Sequence, residues 1–380
     1  MKEISAIKPL RIASVKAHVY RAPIDEPIQT SFGTMLDRPA LVVRIEDVEG
    51  VVGWGEVWCN FPSVGAEHRA RVLESVVSPI LLEREWTSPT EAFATLSKRL
   101  HILGIQSGEP GTIAQIIAGT DIALWDIASK KLGQPLWQVF GGTPLIQTYA
   151  SGLSPNNPEK LVKQKWAEGY RAFKLKVGFG TQKDVRNLKT LRALLGPDTP
   201  IMIDANQAWS VTSALEHILD LREFNPFWIE EPIAADQPIG NWIELATRVS
   251  IPLAAGENMR GHSQFNEAID SGAFAVLQPD IGKWGGFSGC IELAKRITSK
   301  GILFCPHWLG GGIGLLASMH LKAAIGGDGF VEVDANPNPL RELLANPYPL
   351  LQNGSITLSD QPGLGIEPNL QALQAFQVPH

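Results

Sequence analysis

Residues 173–206 read FKLKVGFGTQKDVRNLKTLRALLGPDTPIMIDAN, and this stretch decides the fold. It opens with a short apolar run, FKLKV, continues through a segment of helical periodicity, and closes with a second apolar run, IMIDAN. Two apolar strands joined by a helical crossover predict a parallel strand pair that is covered on both faces. Each strand carries residues that can do chemistry, Lys174 and Lys176 in the first and Asp204 in the second.

The same unit recurs along the chain from residue 147 onward. Eight apolar runs start roughly 23–28 residues apart, which is enough for one strand, one helix and two short loops. In order they read QTYAS, FKLKV, IMIDAN, FWIEE, PLAAGEN, AVLQPD, LFCPH and FVEVD. Eight such units predict an α/β barrel, in which the C-terminal ends of the strands converge on the active site.

The segments on either side of the barrel predict additional structure. Residues 12–58 predict three strands, and the intervening residues 21–39, with their three prolines, predict a long lid or binding loop. Three helices are predicted next, over residues 64–81, 89–103 and 113–131. After about residue 340, a strand (SITLSD) and a short helix (NLQALQAF) are predicted to pack back on the N-terminal region. We therefore divide the chain into residues 1–140, 141–340 and 341–380.

Composition excludes several classes of protein. The 380-residue chain has a formal net charge of −6 and a pI near 5.8, which argues against a nucleic-acid or membrane-surface partner. Three cysteines without metal-type spacing suit a reducing cytoplasm. No secretory signal and no apolar run long enough to span a bilayer is predicted, so we expect a cytoplasmic protein.

Three of the predicted strand ends carry acidic residues: Asp204, Glu230 and Glu257. Because these strands are consecutive, the carboxylates are expected to be neighbours at the barrel mouth, where three charges cannot stay ionised together without a cation. Hard oxygen ligands favour Mg²⁺. For any one of the three, a helix cap or a salt bridge is the alternative interpretation.

Five further strand-end residues are candidates for acid–base chemistry. Lys174 and Lys176 face the same side of a buried strand, and both desolvation and mutual repulsion are expected to lower the lysine pKa, which would make a base. Asp280 and His307 end adjacent strands, so the carboxylate is expected to favour protonated histidine. Glu332 would donate a proton if burial raises its pKa; a rim salt bridge is the alternative.

A glycine-rich segment, GIGLLA at residues 312–317, matches a dinucleotide-binding fingerprint and has Glu332 downstream. It follows the seventh strand of eight, however, and HWL at residues 307–309 intervenes, so a nicotinamide-dependent oxidoreductase is disfavoured. We predict instead a helix N-terminus whose amides face an anionic group of the substrate.

The set of motifs K-L-K, I-D-A-N, I-E-E-P, G-E-N, P-D-I-G-K-W-G-G, P-H-W and V-E-V-D closely resembles the enolase superfamily, in its mandelate racemase-like subgroup. The resemblance covers nearly the whole chain. It implies a modified (β/α)7β TIM barrel with an α+β N-terminal capping domain that the C-terminal segment completes, and homo-oligomers are usual in such families.

The resemblance also implies roles for the candidate residues. Asp204, Glu230 and Glu257 would bind an essential Mg²⁺, and the Asp280–His307 dyad would be one base. Lys176 would be the base on the opposite face, tuned by Lys174, with Glu332 hydrogen-bonded to the enediolate. Asp280 occupies the position of a second catalytic lysine in other branches, which favours the racemase and acid-sugar dehydratase side.

The implied reaction is abstraction of the proton α to the carboxylate of a small substrate. Dehydration of an acid sugar to a 2-keto-3-deoxy acid is our preferred outcome; racemisation or epimerisation of a 2-hydroxy acid between Lys176 and His307, as in a mandelate racemase-type racemase, is the alternative. A non-catalytic binding scaffold also stays open. Polar residues of the lid and strand ends are candidates for substrate binding: Asn206, Ser151, Arg21, Thr34, Thr30, Ser31 and Arg38.

Overall fold

An antiparallel sheet forms the N-terminal part of the computed structural model, which describes residues 7–29 and 33–380. Its strands β1, β2 and β3 are rich in β-branched residues and largely buried on both faces where they cross the middle of the sheet. The turn between β2 and β3 is held by Asp47, whose Oδ1 accepts from the amides of Glu49 and Val51 at 2.9 Å. The strands of this region are β1 (Leu10–Gln29), β2 (Thr34–Asp47), β3 (Val52–Val57) and β4 (Glu85–Trp86).

The predicted loop over residues 21–39 is wrong as secondary structure. β1 and β2 pair beyond it, with Arg21 opposite Pro39 and, after a register shift between Pro23 and Ile28, Gln29 opposite Thr34. Pro27 lies within this register shift, where a residue without a backbone N–H is tolerated. The segment is therefore a long β-hairpin that projects from the sheet.

The predicted helices of the N-terminal region are confirmed, with their ends moved by a few residues. The first is divided by a π-helical turn at residues 73–77. Ser88 caps the N-terminus of α3 by accepting from the Glu91 amide at 3.1 Å, and Gly133, at φ 68°, ends α4. The helices are α1 (Gly65–Val72), α2 (Ser78–Leu82), α3 (Pro89–Ser107), α4 (Pro110–Leu132) and α5 (Leu136–Val139).

All eight predicted barrel strands are present and pair in parallel around the barrel. They are β5 (Leu145–Leu153), β6 (Phe173–Lys176), β7 (Ile201–Asp204), β8 (Ile229–Glu230), β9 (Leu253–Ala255), β10 (Val276–Leu277), β11 (Leu303–Phe304) and β12 (Phe330–Asp334). Seven crossover helices connect them: α6 (Pro158–Glu168), α7 (Thr181–Leu195), α8 (Val211–Leu221), α9 (Ile239–Arg248), α10 (Gly261–Ser271), α11 (Gly286–Ser299) and α12 (Gly312–Ile325). This is the (β/α)7β arrangement, an α/β fold.

The barrel interior below the strand ends is a closed layer of side chains. It is contributed by successive strands or the residues beside them, and includes Tyr149, Ala172, Met202, Trp228, Ala254, Val276 and Cys305. Such filling makes the barrel a packed core, so that chemistry is confined to its mouth.

The C-terminal segment contacts both parts of the molecule. β14 (Ser355–Thr357), which the sequence predicted, pairs with the start of β5, whereas β15 (Gln377–Val378) pairs with β1. The remaining elements are α13 (Pro339–Leu344), β13 (Leu351–Gln352) and α14 (Leu370–Leu373). None of the helices in the described part of the chain combines the length and apolar character needed to span a bilayer.

Candidate active site

Three carboxylates lie at the ends of three neighbouring strands. Asp204 and Glu230 are the last residues of β7 and β8 and stand opposite each other in the ladder, both 1% exposed. Glu257 follows β9 after Gly256, whose φ of 138° and close approach to the Gln278 backbone exclude a side chain there. Burial raises the pKa of Glu230 to about 7. Lys174 acts to lower this pKa, and repulsion from Asp204 and Glu257 partly offsets the effect of Lys174.

Both lysines of β6 point into this carboxylate cluster. Lys174 donates to the two Glu230 oxygens at 2.8 and 2.7 Å and lies 2.7 Å from Glu332, and Lys176 donates to Asp204 at 2.7 Å. The expected lowering of the lysine pKa is wrong in this arrangement. Burial acts in that direction, but the carboxylates raise the pKa of Lys176, and that of Lys174 well above its ordinary value.

His307 stands almost opposite Lys176 across the barrel mouth, at the end of β11. Its Nδ1 lies 2.6 Å from Asp280, whose other oxygen accepts from the amides of Gly282 and Lys283 at 2.8 and 2.9 Å. Its Nε2 lies 2.6 Å from Glu257. Burial would lower the pKa of His307, but the surrounding carboxylates, Glu257 first, raise it well above its ordinary value. The His307 pKa is therefore shifted in the direction that the sequence predicted.

Glu332 lies on the last barrel strand, between the two candidate bases. Its Oε1 accepts from the Ser151 hydroxyl and faces the Lys174 ammonium, while Oε2 is 3.6 Å from His307 Nε2. Burial alone would raise its pKa, but Lys174 and His307 lower the pKa of Glu332 to about 2. The expectation of a proton donor is therefore wrong for this arrangement, in which Glu332 is a carboxylate.

The donor set suits a hard divalent cation. Within residues 7–29 and 33–380, no three His, Cys, Asp or Glu side chains stand arranged to hold a metal ion. Each carboxylate is instead paired with a cation of the protein: Asp204 with Lys176, Glu230 with Lys174, and Glu257 with His307. Three carboxylates at the ends of adjacent strands fit Mg²⁺ by their chemistry. Such an ion would compete with Lys174, Lys176 and His307 for the carboxylate oxygens.

The catalytic candidates border a cavity under the N-terminal hairpin, with Pro27 and Ile28 on its far side. Among the described residues its lining includes Lys176, Asp204, His307, Glu332, Ser151, Ser154, Asn156, Arg38, Asp334 and Asn336. Two predicted substrate residues are brought to this place. Ser151 lines it directly, and Asn206 accepts from Lys176 through Oδ1 at 2.6 Å.

Two other predicted substrate residues are not brought there. Arg21 pairs with Glu67 at 2.7 Å and Asp37 at 2.9 Å, and Thr34 is exposed on the hairpin; neither is among the described lining residues. Side chains on a strand alternate between its faces, and the unpredicted hairpin register turns these two away. Thr30 and Ser31 lie outside the described residues.

Sequence reasoning missed two polar residues that contact the carboxylates. Lys283 lies 3.3 Å from Glu257, and its ammonium stands 4.5 Å from the centre of the Trp58 ring. Gln278 donates to Glu230 at 2.6 Å. Both belong to the segment QPDIGKWGG around Asp280, so their position after β10 was the available signal.

The glycine-rich segment after His307 does open a helix, α12, but its amides face a protein carboxylate. Glu56 of β3 accepts from the amides of Gly311 and Gly314 at 2.5 and 2.9 Å and is 1% exposed. A Cβ on Gly311 would lie 2.6 Å from Glu56 Oε1, so glycine is required for this approach. The predicted contact with a substrate anion is therefore wrong, because the N-terminal region already fills that position.

Two family models account for most of the chain. Residues 13–141 match the mandelate racemase/muconate lactonizing enzyme N-terminal domain, and residues 158–372 match the enolase C-terminal domain-like family. The chain belongs to the mandelate racemase/muconate lactonizing enzyme family. This places it in the enolase superfamily and confirms the resemblance drawn from the motifs.

Solved structures of the family superimpose over nearly the full length. A mandelate racemase/muconate lactonizing enzyme from Bordetella bronchiseptica RB50 is 50% identical, with a TM-score of 0.91 over 97% of this chain and 99% of that chain. A racemase from Streptomyces coelicolor A3(2) with bound magnesium is 26% identical, with a TM-score of 0.87 over 97% of this chain and all of that one.

Characterised relatives in the family are enzymes of several kinds. D-galactarolactone cycloisomerase of Agrobacterium fabrum is 31% identical over 97% of this chain and all of that protein. D-galactonate dehydratase of Verminephrobacter eiseniae is 29% identical, over 87% of this chain and 88% of that protein. N-succinyl-L-Arg/Lys racemase of Bacillus cereus is 26% identical, over 97% and 98% of the two chains.

Proposed function

We propose that the chain abstracts the α-proton of a small carboxylic acid beside a magnesium ion held by Asp204, Glu230 and Glu257. The donor set supports the metal, as does the magnesium in the racemase from Streptomyces coelicolor. A hydrogen α to a carboxylate is a very weak acid, and the ion would supply the positive charge that stabilises the enediolate formed when it leaves.

The observation that carries the proposal is the pair of proton carriers facing one cavity from opposite sides. Lys176 and His307 both line it, and they stand on strands β6 and β11, which are separated by β5 and β12 in one direction and by four strands in the other. A substrate carbon held between them is within reach of one carrier on each face. Enediolate chemistry needs this arrangement for either elimination or inversion.

Dehydration of an acid sugar is our preferred outcome. Lys176 first releases to solvent the ammonium proton that Asp204 and Asn206 stabilise. The neutral amine then takes the α-proton, and the electron pair of that C–H bond forms the enediolate. The bond from Cβ to its hydroxyl then breaks as protonated His307 gives its proton to the departing oxygen. Water leaves, and the remaining enol becomes a 2-keto-3-deoxy acid. The raised pKa of His307 supports its part as the acid.

Racemisation is the second candidate, because the same two residues could deliver a proton to the opposite face of the enediolate. The racemase relative supports this reading, while the dehydratase relative supports the first and the cycloisomerase relative adds a third outcome from an acid-sugar lactone. A non-catalytic scaffold is disfavoured since both proton carriers and Asp204 line the cavity, and Glu230 and Glu257 are present at the ends of the neighbouring strands.

Proton NMR in D₂O with Mg²⁺ tests the proposal, with aldonic, aldaric, uronic, lactone and simple 2-hydroxy acids as substrates. A 2-keto-3-deoxy product establishes dehydration or, from a lactone, cycloisomerisation. Deuterium at Cα with inverted configuration and no elimination establishes racemisation. Absence of both α-deuterium exchange and a 2-keto-3-deoxy product in every acid, with wild type folded and saturated with Mg²⁺, would contradict the proposal.

A further inference from the structure

A buried ion pair lines the part of the cavity beyond the proton carriers. Arg38 of β2 and Asp334 of β12 form it, with side chains 3% and 5% exposed, and the Arg38 Nε also donates to the Pro337 carbonyl at 3.3 Å. Both residues belong to the cavity lining. The pair therefore joins the N-terminal hairpin to the last barrel strand at the edge of the substrate space.

The position of this pair relative to the catalytic groups follows from the strand. Asp334 is two residues beyond Glu332 on β12, so it faces the same side about 7 Å further along. Asp334 also stands opposite Ser151 in the ladder with β5. A substrate whose reacting carbon lies near Glu332 thus reaches Arg38 and Asp334 only with the far end of a chain of several carbons.

The charge at this end of the cavity is balanced. Arg38 contributes one positive charge and Asp334 one negative charge, and the other described polar residues that line this end, Asn336, Ser154 and Asn156, are neutral. The Arg341 guanidinium, which donates to the Asp334 carbonyl at 2.5 Å, is paired with Glu342. Asn336 donates to Asp334 Oδ1 at 2.9 Å and to the Gly152 carbonyl at 3.0 Å, which fixes the carboxylate in place. A second substrate carboxylate would meet the charge of Asp334 at low dielectric.

We infer that Arg38 and Asp334 form a distal subsite for the uncharged, hydroxyl-bearing end of a monocarboxylic acid sugar. A hydroxyl both donates and accepts, so one group can bond to the guanidinium and the carboxylate together. Arg38 and Asp334 thereby set specificity, favouring acids with one carboxylate over diacids of equal length. The inference rests on the proposed function, because it takes the α-carbon to lie between Lys176 and His307.

The test compares acids that differ only at the far end: galactonate with galactarate, gluconate with glucarate, and arabinonate with arabinarate. For the wild-type holoenzyme with Mg²⁺, kcat/KM is expected to favour the monoacid of the accepted pair by at least about tenfold. D334N leaves the Arg38 charge unbalanced and is expected to move this ratio at least about tenfold toward the diacid. R38M is expected to move it the other way.

Because breaking a buried ion pair can prevent folding, N156D serves as a second variant that keeps both partners. Asn156 lines the cavity and its Oδ1 accepts from Lys183 at 2.7 Å, a contact that aspartate can keep. The variant adds a negative charge to the subsite and is expected to widen the preference for the monoacid. A structural role alone would lower kcat/KM for both acids in parallel. A wild-type preference for the diacid, or parallel losses in the variants that fold, would overturn the inference.

Isothermal titration with the same acid pairs and Mg²⁺ separates this inference from the proposed reaction. If no acid shows α-proton exchange or elimination but monoacids bind more tightly and D334N or N156D shifts the binding ratio as stated, the subsite stands and the reaction is wrong. If exchange occurs and the ratio does not follow these charges, the reaction stands and the subsite is wrong. Equal or absent binding of every pair overturns the subsite.

Discussion

The lysine side and the histidine side of the barrel mouth hold their proton carriers in different ways. Lys176 shares Asp204 with the carboxylate cluster, and its other partner is the neutral Asn206. His307 has a carboxylate of its own, Asp280, which two backbone amides fix in place. Both carriers contact the cluster, Lys176 through Asp204 and His307 through Glu257, but only His307 has a second carboxylate, Asp280, outside it.

The largest expected effect is that of Glu257→Gln. In the described part of the chain, the ion pairs of Glu257 are with His307 and Lys283, both on the histidine side. If Glu257 is a metal ligand, its loss should nevertheless abolish proton transfer on both sides. We expect turnover to fall by more than about 1000-fold, since metal stabilisation of the developing charge amounts to several kcal/mol. Titration calorimetry should show weaker Mg²⁺ binding.

Glu267→Gln, an exposed position on α10, is the matched control and should leave both activity and Mg²⁺ binding unchanged. Normal turnover by the Glu257→Gln protein would remove Glu257 from the metal site and end the comparison in its present form.

His307→Asn separates the two sides. Loss of the proton carrier is expected to lower turnover by about 10²–10⁴-fold. Deuterium exchange at the α-carbon should persist for the substrate configuration whose proton faces Lys176, because the lysine side is intact. Lys176→Met should show the mirror pattern. Loss of exchange from both configurations in either folded variant would argue against two independent carriers.

Lys174→Met should lower the stability of the folded protein more than it lowers proton transfer by His307. It leaves Glu230 and Glu332 without their buried cation, and breaking such a pair is expected to lower the free energy of unfolding by about 3–5 kcal/mol. Mg²⁺ should restore more stability to the variant than to wild type. Urea denaturation with and without Mg²⁺ measures both effects, with Lys163→Met on the exposed face of α6 as the control.

A smaller effect on stability is expected from Glu56, which joins the N-terminal sheet to the glycine-rich segment after His307. Burial raises the pKa of Glu56 from 4.5 to about 7, against the lowering effect of the Gly314 and Gly311 amides. The folded protein thus keeps this proton to a higher pH than the unfolded chain, and the stability it contributes is lost as pH rises from about 4.5 through 7. The two pKa values correspond to about 3 kcal/mol.

Glu56→Gln cannot titrate, so the stability advantage of wild type over this variant should shrink between pH 5 and pH 8. Guanidinium denaturation at each pH measures the difference. A difference that is constant, or that grows with pH, would show that Glu56 is ionised throughout this range.

The smallest effect should come from Arg21→Ala. Its partners, Glu67 and Asp37, are partly exposed, and ion pairs of this kind contribute at most about 1 kcal/mol. We expect kcat/KM to change by less than about twofold, because the guanidinium is not among the described cavity-lining groups. A large rise in KM would place Arg21 in the substrate site after all.

The barrel was predictable because each buried parallel strand is a short apolar run with a polar residue at its end or within the next three positions. Position in a strand therefore also located Asp204, Glu230, Asp280 and His307. The hairpin at residues 21–39 was not predictable in this way, since its pairing depends on a register shift that no local pattern marks. The directions that Arg21 and Thr34 face follow from that register.

The protonation behaviour was predictable only in part. The upward shift of the His307 pKa was predicted from its neighbour Asp280, but Glu257 and Glu332 contribute more to it. The lysines and Glu332 each respond to several charges at once, from residues as far apart in the chain as Lys174 and Glu332. The combined effect of these charges on each pKa depends on distances of about 3 Å between side chains, and such distances cannot be deduced from the spacing of motifs in the sequence.

The pairing of β15 with β1 has a consequence for biosynthesis. Val19 and Tyr20 lie on a strand that is synthesised before the barrel, but their partners, Val378 and Gln377, emerge from the ribosome only after the barrel. Until then one edge of the N-terminal sheet has unpaired backbone groups that can bond to another nascent chain. Slow translation of the codons for Gln377 and Val378 would extend the time for which this edge is exposed. We therefore expect the nascent chain to depend most on chaperones before these residues have emerged.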